Sequence, residues 1–267
     1  MSETDQGAEI LDSDLQCAQA QTIKSYDGLF AIRGSAYDRA MRSYPEARRQ
    51  EFRQAIERVE LAHGMAVADV PAGGGYLQRY LPSGCEWRPH EPCASFTNHH
   101  AAPDDPANAH LLPLPWPEAS IDAAFSIAGV HHLEDKRPLF AELHRVVKPG
   151  GVFLLSDVAT DSAVAHFLDE YVGAYNSTGH EGVFLDERTV RELQDTGWQV
   201  ESCEQVDFPW VFPDLEGMAK FCHQLFDLQR SRPADTSEAI TQRLGVSKLP
   251  DGVGMNWSLM TIRARRI

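Results

Sequence analysis

Residues 112–157 read LPLPWPEASIDAAFSIAGVHHLEDKRPLFAELHRVVKPGGVFLLSD, and their pattern decides the fold. IDAAFSIAG, Ile121 to Gly129, has the apolar density of a buried strand. Leu139, Phe140, Leu143, Val146 and Val147 then fall on one face of a helix. KPGG at 148–151 predicts the helix stop, since glycine accepts the left-handed conformation that ends many helices. VFLLSDV follows as an almost continuous apolar run, the mark of a parallel strand covered on both faces.

The same rhythm extends upstream. A helix starts at Pro45, a favoured first helical position, and Phe52, Ala55, Ile56 and Val59 form its apolar stripe. GMAVADV is a short buried strand that runs into the glycine turn of ADVPAGGGYLQ, residues 68–78. YLQRYL opens a helix, EWRPHE is a weak strand, and residues 98–110 are polar and loop-like. Strands alternating with helices in this way predict a doubly wound α/β sheet. Further on, helices are expected over 161–176 and 187–196, and near 214–230 and 236–244. Two late strands, WQVESCEQVDFPW and GMNWSLMTIRARR, complete the pattern.

A chain of 267 residues can bury one large core. Its formal net charge of −15 repels phosphate backbones, which places small molecules ahead of nucleic acids as partners. The five cysteines show no CxxC and no pairing with histidine at metal-finger spacing, so no metal is expected. MSETDQGAEILDSD has no basic or apolar signal region, and no run is apolar enough to span a membrane. The expectation is a cytoplasmic protein with no membrane partner: a flexible tail at 1–13, then one domain over 14–267. Lid elements are expected at about 14–44, 161–185 and 211–250.

In an open parallel sheet, ligands sit beyond the carboxyl ends of the strands. Gly73, Gly74 and Gly75 let the backbone approach a ligand there and supply N–H donors. A dinucleotide fingerprint would need glycine where Gln78 stands, so a nicotinamide or flavin oxidoreductase is disfavoured. Glu91, 22 residues after Asp69, stands where a carboxylate would meet the hydroxyls of a nucleoside ribose.

Together these segments resemble the class I S-adenosylmethionine-dependent methyltransferases, in the subgroup acting on small molecules. DVPAGGG matches the family's first motif with Pro71 at its first glycine. The run from Leu-Pro-Trp-Pro through His-His-Leu to Lys-Pro-Gly-Gly resembles its most specific segment, and the likeness covers about residues 26–160. The resemblance implies a Rossmann-like, seven-stranded sheet with its last strand antiparallel, a helical lid, and methyl transfer to an oxygen, nitrogen or carbon atom of a small-molecule acceptor. It implies S-adenosyl-L-methionine as cofactor, held by Asp69, Ala72, Gly73 and Gly75, with Glu91 on the ribose hydroxyls. Ile127 and Ala128 would face its methionine end, and His110 stands where the family often has an aspartate for the adenine. Pro71, which lacks an N–H, and His110 are departures that motivate a second reading: a degenerate member that binds the cofactor or another ligand without transferring a methyl group.

Acceptors that must lose a proton need a base. His180, in the glycine-flanked loop NSTGHEGVFLDE, is the candidate that the fold does not otherwise explain, and His132 is the second. His131-His132 also match a pair that stabilises the loop after the family's fourth strand, and His99-His100 face solvent in a polar loop. Trp210, Phe212, Phe221 and Phe226 either line an apolar pocket or pack the lid, and Tyr26 and Tyr37 either close over the cofactor or dock the N-terminal helices.

Overall fold

The computed structural model describes residues 26–97 and 110–267. The tail expected at 1–13, and His99-His100 with most of their loop, lie outside the described residues. Among these residues the strands are β1 (Ala66–Asp69), β2 (Glu86–Pro89), β3 (Ile121–Ile127), β4 (Val147–Asp157), β5 (Trp198–Phe212), β6 (Val246–Leu249) and β7 (Gly252–Arg266). The sheet order is β2-β1-β3-β4-β7-β5, with β6 paired on β7. β1 is parallel to both β2 and β3, and β3 to β4, whereas β7 runs antiparallel to β4, β5 and β6. This is the expected mixed sheet with its last strand reversed, and the short β6 hairpin strand is one of its seven members.

Period-two burial explains why both faces are covered. In β4, Val152 and Leu154 enter one core while Phe153 and Leu155 enter the other. In β1, Val67 faces the first core, and Ala66 and Ala68 the second. α4 (Arg137–Val146) lays the predicted stripe of Leu139, Phe140, Leu143 and Val146 into the second core. On the other face pack α1 (Tyr26–Ser43), α2 (Arg49–Ile56), α8 (Leu215–Leu225) and α9 (Pro233–Arg243). α7 (Glu187–Asp195), capped by Asp186, closes the second core with Leu193. α3 (Ala94–Thr97) is a single turn against α1.

Some elements differ from expectation. The segment at Pro45 is a run of turns, and α2 begins only at Arg49. YLQRY is a 3₁₀ helix following the left-handed Gly75. KPGG does not cap α4: the backbone turns extended at Val147, and the four residues form the irregular start of β4, with Gly150 at φ 81°. There the register between β3 and β4 shifts, from Ile121 opposite Val147 to Ala123 opposite Val152, which leaves extra β4 residues bulged out of the ladder. The helix after β4 runs as α5 (Ala163–His166), a π-helical stretch over Phe167–Val172, and α6 (Gly173–Tyr175).

Candidate functional site

Two neighbouring cavities lie at the carboxyl ends of β1, β3 and β4, where a doubly wound sheet binds ligands. The first is walled by Asp69, Pro71, Ala72, Gly73, Ile127 and Ala128, with Tyr26, Tyr37 and Tyr76 over it. Gly73 stands at φ 52°, a conformation that favours glycine, and its N–H donates to Glu91 Oε2 at 2.7 Å. The same oxygen accepts the Tyr26 hydroxyl at 2.7 Å, and Oε1 accepts the Cys93 N–H at 2.8 Å. Burial pushes the Asp69 carboxyl well above its usual range, the Trp87 indole N–H at 3.2 Å works against this, and the Glu91 charge adds to it.

The sequence-derived residues are thus largely gathered. Asp69, Ala72, Gly73, Ile127 and Ala128 line one space, Glu91 braces Gly73 from behind, and Gly75 starts the following 3₁₀ turn. His110 is placed otherwise: its side chain is exposed, it lines neither cavity, and its carbonyl oxygen meets His90 Nε2 at 3.1 Å. His90, almost fully buried, also reaches the carbonyl of Leu111 at 3.0 Å and so fixes the chain entering this region.

The second cavity is walled by Arg33, His131, His132, His180, Trp210 and Trp257, among others. It shares Phe30, Tyr37, Arg48 and Ala128 with the first. Trp210 and Phe226 therefore line a pocket, while Phe212 and Phe221 pack in the core beside it. Tyr26 and Tyr37 both close over the first cavity.

A methyltransferase-domain family model matches residues 68–155, which span the glycine turn, β3 and most of β4. Over these residues the chain is similar to the class I S-adenosylmethionine-dependent methyltransferases, which supports S-adenosylmethionine as the cofactor. The first cavity lies beside the glycine turn within these matched residues. A sterol 24-C-methyltransferase of Yarrowia lipolytica is 27% identical over 128 residues, which is 44% of this chain and 33% of that protein. The chain thus spans a third or less of the length of the first curated relatives that it matches. Among solved structures, the complex of the Haloferax volcanii Trm112 methyltransferase activator with a methyltransferase contains a similar chain. Its TM-score is 0.59 at 18% identity, covering 91% of this chain and 98% of that one. The Haemonchus contortus phosphoethanolamine N-methyltransferase 2, solved with S-adenosyl-L-methionine, gives a TM-score of 0.57 at 16% identity, covering 91% and 60%. At these identities the solved structures speak for the fold.

The histidine cavity is held by two carboxylates. Asp157, at the end of β4, accepts the N–H groups of Val130 and His131 on Oδ2 at 2.8 and 3.1 Å. Its Oδ1 accepts the His131 ring Nδ1 at 2.7 Å and the Val158 N–H at 2.7 Å. Burial pushes this carboxyl up, but the His131 charge and these hydrogen bonds prevail and hold it below its usual value. His131 therefore fixes the loop after β3, as the resemblance implied. Asp169, in the π-helical stretch, faces His180 Nδ1 at 2.8 Å and the Gly182 N–H at 3.0 Å. Gly173 lets the loop lie close, since a Cβ there would meet the His180 carbonyl oxygen at 3.1 Å. An ionised carboxylate only accepts, so each of these rings carries a proton on Nδ1 and offers Nε2.

Burial holds His132 well below its usual pKa, helped by the charges of His131, His180 and Arg33. Burial also lowers His180, against the pull of Asp169. One ring nitrogen from each of His131, His132 and His180 lies within 4.8 Å of the others, a triangle that sequence spacing did not reveal. Metal-site histidines are commonly backed by carboxylates, as two of these are. Arg33 opposes a dication in the same place, because its charge already disfavours protonation of His132 and His180. His132 and His180, both lowered in pKa beside a fixed cation, suit proton acceptance and anion binding better.

Proposed function

We propose that this chain transfers a methyl group from S-adenosylmethionine to a small molecule held in the histidine cavity, with His180 as the base. The shared wall carries this reading: Phe30, Tyr37, Arg48 and Ala128 border both cavities, so a donor in one would adjoin an acceptor in the other. Asp69, Ala72, Gly73 and Gly75 would hold the cofactor and Glu91 its ribose, with Ile127 and Ala128 at the methionine end; His110, exposed and outside both cavities, is left out of this set. When bound, it supplies an electrophilic methyl carbon on a sulfonium and leaves as a neutral thioether. The chain's own work is to align, to exclude water and to take a proton. Asp169 keeps the Nδ1–H tautomer of His180, whose Nε2 receives the proton that the oxygen, nitrogen or carbon acceptor gives up. His132, half-buried and held well below its usual pKa, is the second acceptor of protons in the same wall. The segments at about 14–44, 161–185 and 211–250 serve as the lid of a single domain.

A second reading, ligand binding without transfer, is favoured by one observation: Glu91 already accepts from Tyr26 and Gly73. Calorimetry with S-adenosylmethionine, its demethylated product and NAD(P), on wild type and Glu91→Ala, separates the two together with labelled-methyl transfer to an acceptor panel. Heat with neither sulfur compound sinks the cofactor assignment. Binding with no label transferred to any acceptor supports the second reading.

A further inference from the structure

Two buried arginines border the histidine cavity, and their situations differ. Arg48 is paired: Glu51 grips its guanidinium, Nε to Oε2 at 3.0 Å, Tyr37 is bonded to Nη1, and the rings of Phe52 and Trp210 flank it. Arg33 is only 4% exposed, yet its Nε and Nη1 have no hydrogen-bond partner among the described residues. Asp227 acts on Arg33 through its charge alone, and its own carboxylate is taken by the Ser177 hydroxyl and Gln229. Trp257 Nε1, in the same wall, is also buried without a partner. Folded proteins rarely leave buried donors unmatched, and a guanidinium cannot shed its charge to relieve the cost. Three unmatched donors on one cavity describe a site awaiting acceptors.

We propose that the acceptor is a carboxylic acid: Arg33 pairs its carboxylate, and its planar apolar body lies on the aromatic wall. That it is the methyl acceptor rests on the methyl-transfer reading above. One free guanidinium, with no lysine and no second unpaired arginine on the cavity, matches one negative charge better than a phosphate dianion. Trp210 and Trp257 stack at 4.2 Å and 25°, and Phe226 lies within 20° of both ring planes, so the rings of this wall share one orientation. Such a wall favours an aromatic or conjugated body. With His180 as the base, the accepting atom is one that gives up a proton, a hydroxyl, amine or carbon acid beside His180, and the carboxylate serves as the anchor.

The test uses the full chain with cinnamate, 3-phenylpropionate and indole-3-acetate, each against its methyl ester, titrated calorimetrically with and without S-adenosylhomocysteine. Each acid should bind wild type about tenfold more tightly than its ester. Arg33→Met should erase that difference while keeping ester binding, and without ligand its Tm should equal or exceed that of wild type. Acids binding no better than esters, no binding by any acid, a preference surviving in Arg33→Met, or a lower Tm for that variant each overturns the proposal. A separate titration with S-adenosylmethionine keeps the two readings apart. No heat there with the acid preference intact fails the methyl-transfer reading alone, whereas heat there without the preference fails this one alone.

Discussion

Because Asp169 fixes the proton of His180 on Nδ1, the chemistry at this residue depends on one hydrogen bond of 2.8 Å. Asp169→Asn replaces an obligate acceptor with an amide that can donate, and so permits the tautomer whose Nε2 carries the proton. We expect a loss of about 10²-fold or more in kcat, with the affinity for S-adenosylmethionine unchanged. A labelled-methyl assay beside calorimetry checks both, and an unaltered kcat would remove His180 from the base role. His132 supplies a second consequence, in stability. Its unfolded pKa is about 6.5, and its folded value lies well below because of burial and the charges of His131, His180 and Arg33. Between those values the unfolded chain binds the extra proton, so this contribution is present above about pH 6.5 and is lost as pH falls through the folded pKa. Denaturant melts from pH 7.5 to 5 should show wild type losing stability faster than His132→Gln, by up to about 1.4 kcal/mol per pH unit. Parallel curves would refute it. His180 could be singled out in the sequence because no strand or helix signal explained it. Asp169 and Arg33 could not, since one acts from a π-helical turn 11 residues away and the other matters only through a lack of partners.

Among the elements, α1 governs access to the cofactor site. Its first residue, Tyr26, donates to the Glu91 oxygen that also holds Gly73, which is where the ribose hydroxyls are expected. The Tyr26 hydroxyl is therefore a competitor, and the competent state requires it to withdraw. Tyr26→Phe should raise the apparent affinity for S-adenosylmethionine several-fold and lower the stability of the unliganded chain by about 1–2 kcal/mol. Calorimetry and thermal melts read both effects, and weaker binding in the variant would show that Tyr26 helps to hold the cofactor instead. The sequence marked Tyr26 as a residue that either closes over the site or docks a helix, and it does both: it lines the first cavity and reaches Glu91, and it packs in one cluster with Cys93 and Phe96. β1, β3 and β4 were legible because they are buried almost throughout, whereas the half-exposed β2 reads only as a weak strand and β6 is not legible at all. KPGG misled because glycines that suit a helix stop suit an irregular strand entry equally well, and local pattern does not distinguish them.

For the molecule as a whole, the doubly wound sheet followed from alternating strands and helices and its reversed last strand from the family resemblance, whereas the meeting of two cavities behind one wall depended on contacts across the chain. Arg48 comes from the turn before α2, Ala128 from the end of β3, and Trp210 and Trp257 from paired late strands. That arrangement places a fixed cation inside a chain of net charge −15. Short-range pairing with Arg33 and long-range repulsion by the surface therefore act in opposite directions on an anionic acceptor. Salt separates them, because screening weakens interactions beyond about 10 Å at 0.1 M and leaves a buried contact nearly intact. Raising salt from about 0.01 to 0.3 M should speed the association of indole-3-acetate several-fold and leave its dissociation rate nearly constant. Its methyl ester should show neither change. Stopped-flow tryptophan fluorescence can follow both, since Trp210 and Trp257 stand in the wall. An association rate that falls with salt would mean that a local positive field at the cavity mouth outweighs the net charge.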